Sequence, residues 1–331
     1  MRPGSAISKT HSDRDRRQKM LPLFDAHCDT IYELDARGCG LRENTLHLDL
    51  LRLSRYAHPV QVFTLFSDLG EASEARHPAQ NAETFRHLLS VFHREMDANR
   101  DLVTHCRSAA DIAAAHRAGK TAAILAVEGG ELLSGLSPED VYDLGVRIVT
   151  LTWNYENSLG GSHKTGGGLT PKGRDFVCRA GELGILIDVS HASDALFWDV
   201  AELATQPFLA SHSNARAVCG HSRNLTDQQF QALCRSGGVA GLNLYADFLS
   251  NGPCTICDAV RHIEHFLALG GAKHIALGGD LDGCDRLPAG IRGVQDLCRI
   301  GEELSRLGYS DDLIHDLFYN NLHRVFSAVT G

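Results

Sequence analysis

The sequence predicts one α/β domain folded as a (β/α)8 barrel. Three observations predict it: eight short apolar runs, helical patterns between them, and polar residues where the runs end. The runs are Leu21–Asp25, Val60–Leu65, Ala122–Val127, Val146–Leu151, Gly184–Val189, Phe208–Ala210, Val239–Leu244 and Ile275–Gly278. Continuously apolar runs suit strands covered on both faces, as parallel strands are. Between them, Ala79–Arg100 places Phe85, Leu88, Leu89 and Phe92 on one helical stripe. Pro171–Leu183, Ser193–Ala204, Thr226–Arg235, Asp258–Leu269 and Val294–Leu307 repeat that pattern, and Asp311–Val329 reads as a final amphipathic helix. Ser193 and Thr226 are expected N-caps, as is Thr170 before Pro171 at the first helical position. Strand and helix alternate without a linker, which favours one closed barrel over its rival, a doubly wound open sheet.

Composition bounds the function. At 43% hydrophobic and 22% charged over 331 residues, the chain has ordinary globular material for one large core. The net charge of −9 is uneven: residues 1–20 carry six Lys and Arg against two Asp, leaving −13 on the rest. An acidic body argues against nucleic acid or an anionic membrane as the main partner. Only Leu21-Pro-Leu-Phe24 follows the basic leader, too short for the apolar core of a secretory signal. Residues 1–20 therefore read as a disordered leader or an expression remnant, with Met20 a candidate start, and residues 21–331 as the domain. No apolar run is long enough to span a membrane, and a cytoplasmic location is expected. The ten cysteines are too sparse for a disulfide scaffold and are expected to be reduced. Cys254-Thr-Ile-Cys257 is the one metal-like spacing and lacks a second pair.

In a (β/α)8 barrel the active site is built at the C-terminal ends of the strands. The first run ends in Asp25-Ala-His27-Cys-Asp29, the third in Glu128-Gly-Gly and the fourth in Thr152-Trp153-Asn154. The fifth ends in Ser190-His191, the sixth in Ser211-His212 and the eighth in Gly279-Asp280-Leu-Asp282. Eighteen histidines scattered at random would not place hydrolytic metal ligands in register at one end. Residues two apart on a strand face the same way, so His27 and Asp29 can grip one ion together. An isolated His-x-Asp is more often a buried histidine bonded to a carboxylate; two more strand-end histidines and Glu128 reverse that reading. Five ligands exceed a closed structural zinc site and fit two ions sharing one carboxylate. Glu128 is the natural bridge, since it follows a middle strand and is flanked by glycines that would let cations approach. Among the other histidines, His163 in a glycine-rich loop is the one to watch.

These residues resemble the renal (membrane) dipeptidase family of zinc peptidases, in its bacterial-type cytoplasmic form. The likeness runs from about Leu21 to the last helix. It rests on Asp25-Ala-His27-Cys-Asp29, Val127-Glu128-Gly-Gly, Leu186-Ile-Asp-Val-Ser-His191, Ser211-His212-Ser, Ser222-Arg223-Asn224 and Gly278-Gly-Asp280-Leu-Asp-Gly283. The resemblance implies a barrel of the metal-dependent hydrolase kind holding two Zn2+ per chain. His27 and Asp29 would hold one zinc, His191 and His212 the other, with Glu128 bridging. It further implies that Arg223 meets the dipeptide's α-carboxylate, a bidentate task suited to guanidinium. Tyr245 would line the same end, and Asp280 would carry the proton to the leaving nitrogen. The expected reaction is hydrolysis of dipeptides with a free C-terminal carboxylate, tolerating a D-residue there.

One position departs from the family, which often has a histidine that supports the oxyanion after the fourth strand, where this chain has Trp153. Either Trp153 or Asn154 takes over that substrate-side role, or substrate preference has shifted. The expected partner is a dipeptide, with a homodimer allowed and neither nucleic acid nor membrane involved. Two alternatives remain: another barrel metal hydrolase such as a deaminase, lactonase or phosphotriesterase relative, or a weakly catalytic ligand-binding protein.

Overall fold

The structure, a computed structural model, describes residues 21–331, so the expectation of a leader over residues 1–20 lies outside the described residues. Nine parallel strands occur among them. They are β1 (Pro22–Asp25), β2 (Ala57–Leu65), β3 (Val103–His105), β4 (Thr121–Glu128), β5 (Val146–Thr150), β6 (Leu186–Asp188), β7 (Leu209–Ala210), β8 (Val239–Leu242) and β9 (Ile275–Leu277). β1 pairs with both β2 and β9, the strands from β4 to β9 pair in sequence, and β2 pairs with β4 from Val60–Ala122 to Leu65–Val127. That last ladder closes an eight-stranded barrel and excludes the open sheet, which would leave two unpaired edges. The eight barrel strands match the eight expected from sequence, and β3 is an additional strand outside the ring. β3 pairs only with the base of β4, on the edge that β5 occupies from Leu125 onward.

The longer helices are α1 (Thr30–Arg37), α2 (Pro78–Ala98), α3 (Ala109–Arg117), α4 (Pro138–Asp143), α5 (Pro171–Leu183), α6 (Asp194–Leu203), α7 (Asp227–Arg235), α8 (Ile256–Ala268), α9 (Cys298–Arg306) and α10 (Asn321–Thr330). Thr170, Ser193 and Thr226 each accept a first-turn backbone N–H, as their sequence positions predict. The helix expected over residues 294–307 is broken: a single tight turn precedes α9. The Tyr56 hydroxyl explains the break, since it donates to Val294 O and accepts from Cys298 N. Among the described residues, no helix is long and apolar enough to cross a membrane. All ten cysteines are free thiols.

The barrel interior positions the site. One buried cluster takes alternate residues from every barrel strand: Phe24, Val60 and Val62, Ala122, Ile124 and Ala126, Ile148, Leu186, Leu209, Val239 and Ala276. Leu322, Val325 and Phe326 of α10 join it and close the bottom. Continuing the same alternation toward the strand C-termini reaches Thr64, Glu128, Thr150, Asp188, Ser211 and Asn243, all buried polar groups. The apolar plug thus ends in a polar layer. At that level Gly241 and Gly278 leave room for the Ser211 carbonyl, which would lie 1.8 and 1.7 Å from a Cβ at either position.

Candidate metal centre

The strand-end residues converge. Potential donor atoms of His27, Asp29 and Glu128 lie within 4.8 Å of one another, as do those of Glu128, His191 and His212. The two groups share Glu128. Its Oε2 is 3.9 Å from His27 Nε2, while its Oε1 is 3.2 Å from His191 Nε2 and 3.3 Å from His212 Nε2. Asp280 completes a third group with His27 and His212, its Oδ1 3.9 Å from His27 Nε2.

Each imidazole is oriented from behind. Thr64 Oγ1 lies 3.4 Å from His27 Nδ1. Ser211 Oγ donates to Asp188 at 2.5 Å and lies 2.6 Å from His212 Nδ1, so the imidazole N–H points at the serine and Nε2 faces the centre. Asn154 Oδ1 lies 3.2 Å from His191 Nδ1. Asp188 and Asn243 carried no expected role from the sequence. A carboxylate inside the apolar run Leu186-Ile-Asp-Val was the available signal for Asp188. Asn243 donates to both Asp280 Oδ2 and His212 O, and its cue was its place beside Tyr245 at the end of β8.

Among the described residues, His27 Nε2, Asp29 Oδ1 and Glu128 Oε1 are buried without hydrogen-bond partners. Buried polar atoms are otherwise nearly always satisfied, so orphans pointing into one space are atoms a cation would take. Charge agrees. Burial raises Glu128 well above the ordinary carboxylate range, and raises Asp280 as well. Burial disfavours a charged His27, but Glu128, Asp29 and Asp280 outweigh it and carry its pKa to about 10. Burial, with the charge of Arg223 and His27, holds His191 and His212 well below the imidazole range, in the neutral form that binds metals. His191 and Asp280 also adopt positive φ, 63° and 53°, a strained conformation for non-glycine residues that concentrates at functional sites.

Gly129 and Gly130 serve packing rather than cation approach, which corrects the sequence expectation. Gly129 has φ of 93°, and a Cβ there would lie 2.6 Å from the Glu131 side chain. One at Gly130 would lie 2.5 Å from Leu159 and 3.0 Å from the Leu151 carbonyl.

Arg223 is 3% exposed, and among the described residues its guanidinium makes only long contacts of 3.4 Å to Ser213 Oγ and His212 O while Nε has no partner. Burial lowers its pKa to about 10 against the pull of Glu128, Asp280 and Asp188. The guanidinium stands 5.4 Å from the Phe248 ring centre, and Tyr245 packs on that ring at 4.8 Å, so both residues share one end of the site. Trp153 stands 6.3 Å from the His191 ring, in an aromatic wall with Phe66 and Tyr155.

The chain matches the sequence model of the membrane dipeptidase family, peptidase family M19, over residues 13–331. It is 31% identical over 306 residues to an uncharacterized dipeptidase of Schizosaccharomyces pombe, covering 85% of this chain and 72% of that one. Its fold matches a family M19 metallopeptidase, dipeptidase AC, with TM-score 0.83 and 28% identity over 94% of this chain and 99% of that one. A Rhodobacter sphaeroides metallopeptidase liganded with a phosphinate mimic of L-Ala-D-Ala matches with TM-score 0.82 and 27% identity, over the same shares. The chain is a hydrolase of the membrane dipeptidase family, the metallopeptidase family M19.

Proposed function

We propose that this dipeptidase holds two zinc ions at the barrel mouth and cleaves dipeptides bearing a free C-terminal carboxylate. The sharing of Glu128 between two donor groups carries this reading. His27 and Asp29 would hold one ion, His191 and His212 the other, and Glu128 both; imidazole with carboxylate is a donor set zinc accepts. Bound there, the ions would supply Lewis acidity, making water nucleophilic near neutral pH and polarising the scissile carbonyl.

The chain's own residues do the rest. Arg223, buried and weakly satisfied, binds the substrate carboxylate. Asp280 moves the proton to the departing amine; Asn243 holds its Oδ2 at 2.9 Å while Oδ1 faces His27. Trp153 packs against a substrate side chain, and Tyr245 supports the carboxylate end through Phe248. The bound L-Ala-D-Ala mimic in the Rhodobacter sphaeroides relative supports tolerance of a D-residue at the C-terminal position. A panel of L,L and L,D dipeptides with elemental analysis tests the reading. Two zincs and turnover of both series are expected; turnover without bound metal would sink it.

A further inference from the structure

His163 lies on the glycine-rich loop after β5 and belongs to neither donor group, yet both its ring nitrogens are engaged. Nε2 lies 2.9 Å from Asn154 Oδ1, and Nδ1 lies 2.8 Å from Ser222 Oγ. The same Asn154 oxygen lies 3.2 Å from His191 Nδ1. An amide oxygen only accepts, so both imidazoles must present N–H to it. His191 then carries its proton on Nδ1 and keeps Nε2 bare for the centre, while His163 accepts the Ser222 hydroxyl proton on Nδ1. The backbone reinforces the link, since His163 N donates to His191 O at 2.8 Å. The chain of bonds crosses three strand-end loops and ends at Ser222, next to Arg223.

We propose that His163 is a positioning residue: through Asn154 it fixes the tautomer and tilt of His191, and through Ser222 it ties that imidazole to the loop carrying Arg223. This rests on the two-zinc reading above. It assigns a task to Asn154 that Trp153, a donor with no acceptor, could not perform. The test is competition of the full-length protein with a chromophoric zinc chelator, for wild type, His163→Ala and His163→Gln. In the alanine variant one of the two zincs should be held up to about 10-fold more weakly, the low end of the range for losing a hydrogen-bond partner directly behind a metal ligand, because His163 acts through Asn154. Glutamine, which can donate to Asn154 and accept from Ser222, should largely restore it. KM for a dipeptide should rise in the alanine variant and recover with glutamine. Unchanged zinc affinity in His163→Ala, or equal losses in both variants, overturns the proposal while leaving the two-zinc reading intact. A wild type that binds no zinc overturns both.

Discussion

Oε1 of Glu128 lies 3.2 Å from Nε2 of His191 without making a hydrogen bond to it, although both atoms are buried. Two acceptor lone pairs facing each other at that distance leave a space suited to a cation. Glu128→Gln keeps the shape and removes the charge that would hold two cations together. Loss of at least one metal and a fall in turnover of several orders of magnitude are expected. Elemental analysis beside steady-state assays checks this, and near-normal turnover would show that Glu128 is not the bridge.

Metal loading should depend on pH with a definite sign. In the cation-free protein the surrounding carboxylates hold a proton on His27, with a pKa of about 10. A ligand imidazole must be neutral, so uptake of zinc releases protons and weakens as pH falls. Calorimetric titration in two buffers of different ionisation enthalpy reads the protons directly. Zero release at pH 7 would mean that His27 is not a ligand.

Much of this centre was legible in the sequence because parallel barrel strands are buried on both faces. Their runs give way to clusters of polar residues at the strand ends, so Glu128, His191, His212 and Asp280 stand out. β3 was not legible: three residues pair only with the base of β4, too few to show a pattern. α1, α3 and α4 were also missed. α3 is alanine-rich and weakly patterned, and α1 starts directly after Asp29, where the ligand motif occupies the reading. The links from Asn154 through His163 to Ser222 join loops up to 59 positions apart, a relation no local spacing can reveal.

The polar layer makes a stability prediction. A Cβ at Gly278 would lie 1.7 Å from the Ser211 carbonyl oxygen, which is backbone and cannot rotate away. Gly278→Ala should therefore destabilise the fold by about 1–3 kcal/mol, the usual cost of overpacking. Because His212 follows Ser211, zinc should also be held more weakly. Urea denaturation and metal analysis on one preparation would separate the two effects; an unchanged midpoint contradicts the packing argument.

The last prediction concerns Arg223, whose guanidinium is buried yet makes only two long hydrogen bonds. A buried charge so weakly satisfied is stabilised by a substrate anion that replaces what burial removed. Arg223→Ala should weaken substrate binding by about 2–5 kcal/mol, the range for removing one partner of a desolvated charge pair. In wild type, a dipeptide amide should be a far poorer substrate than the free acid, because it lacks the second anionic oxygen for a bidentate bond. In Arg223→Ala that preference should largely vanish, since neither substrate then finds the contact. Zinc content should not change, because Arg223 donates nothing to the metal. Comparing acid and amide in both proteins thus separates carboxylate recognition from damage to the centre. Equal turnover of acid and amide by the wild type would show that Arg223 does not select the substrate, and the buried guanidinium would then need another partner.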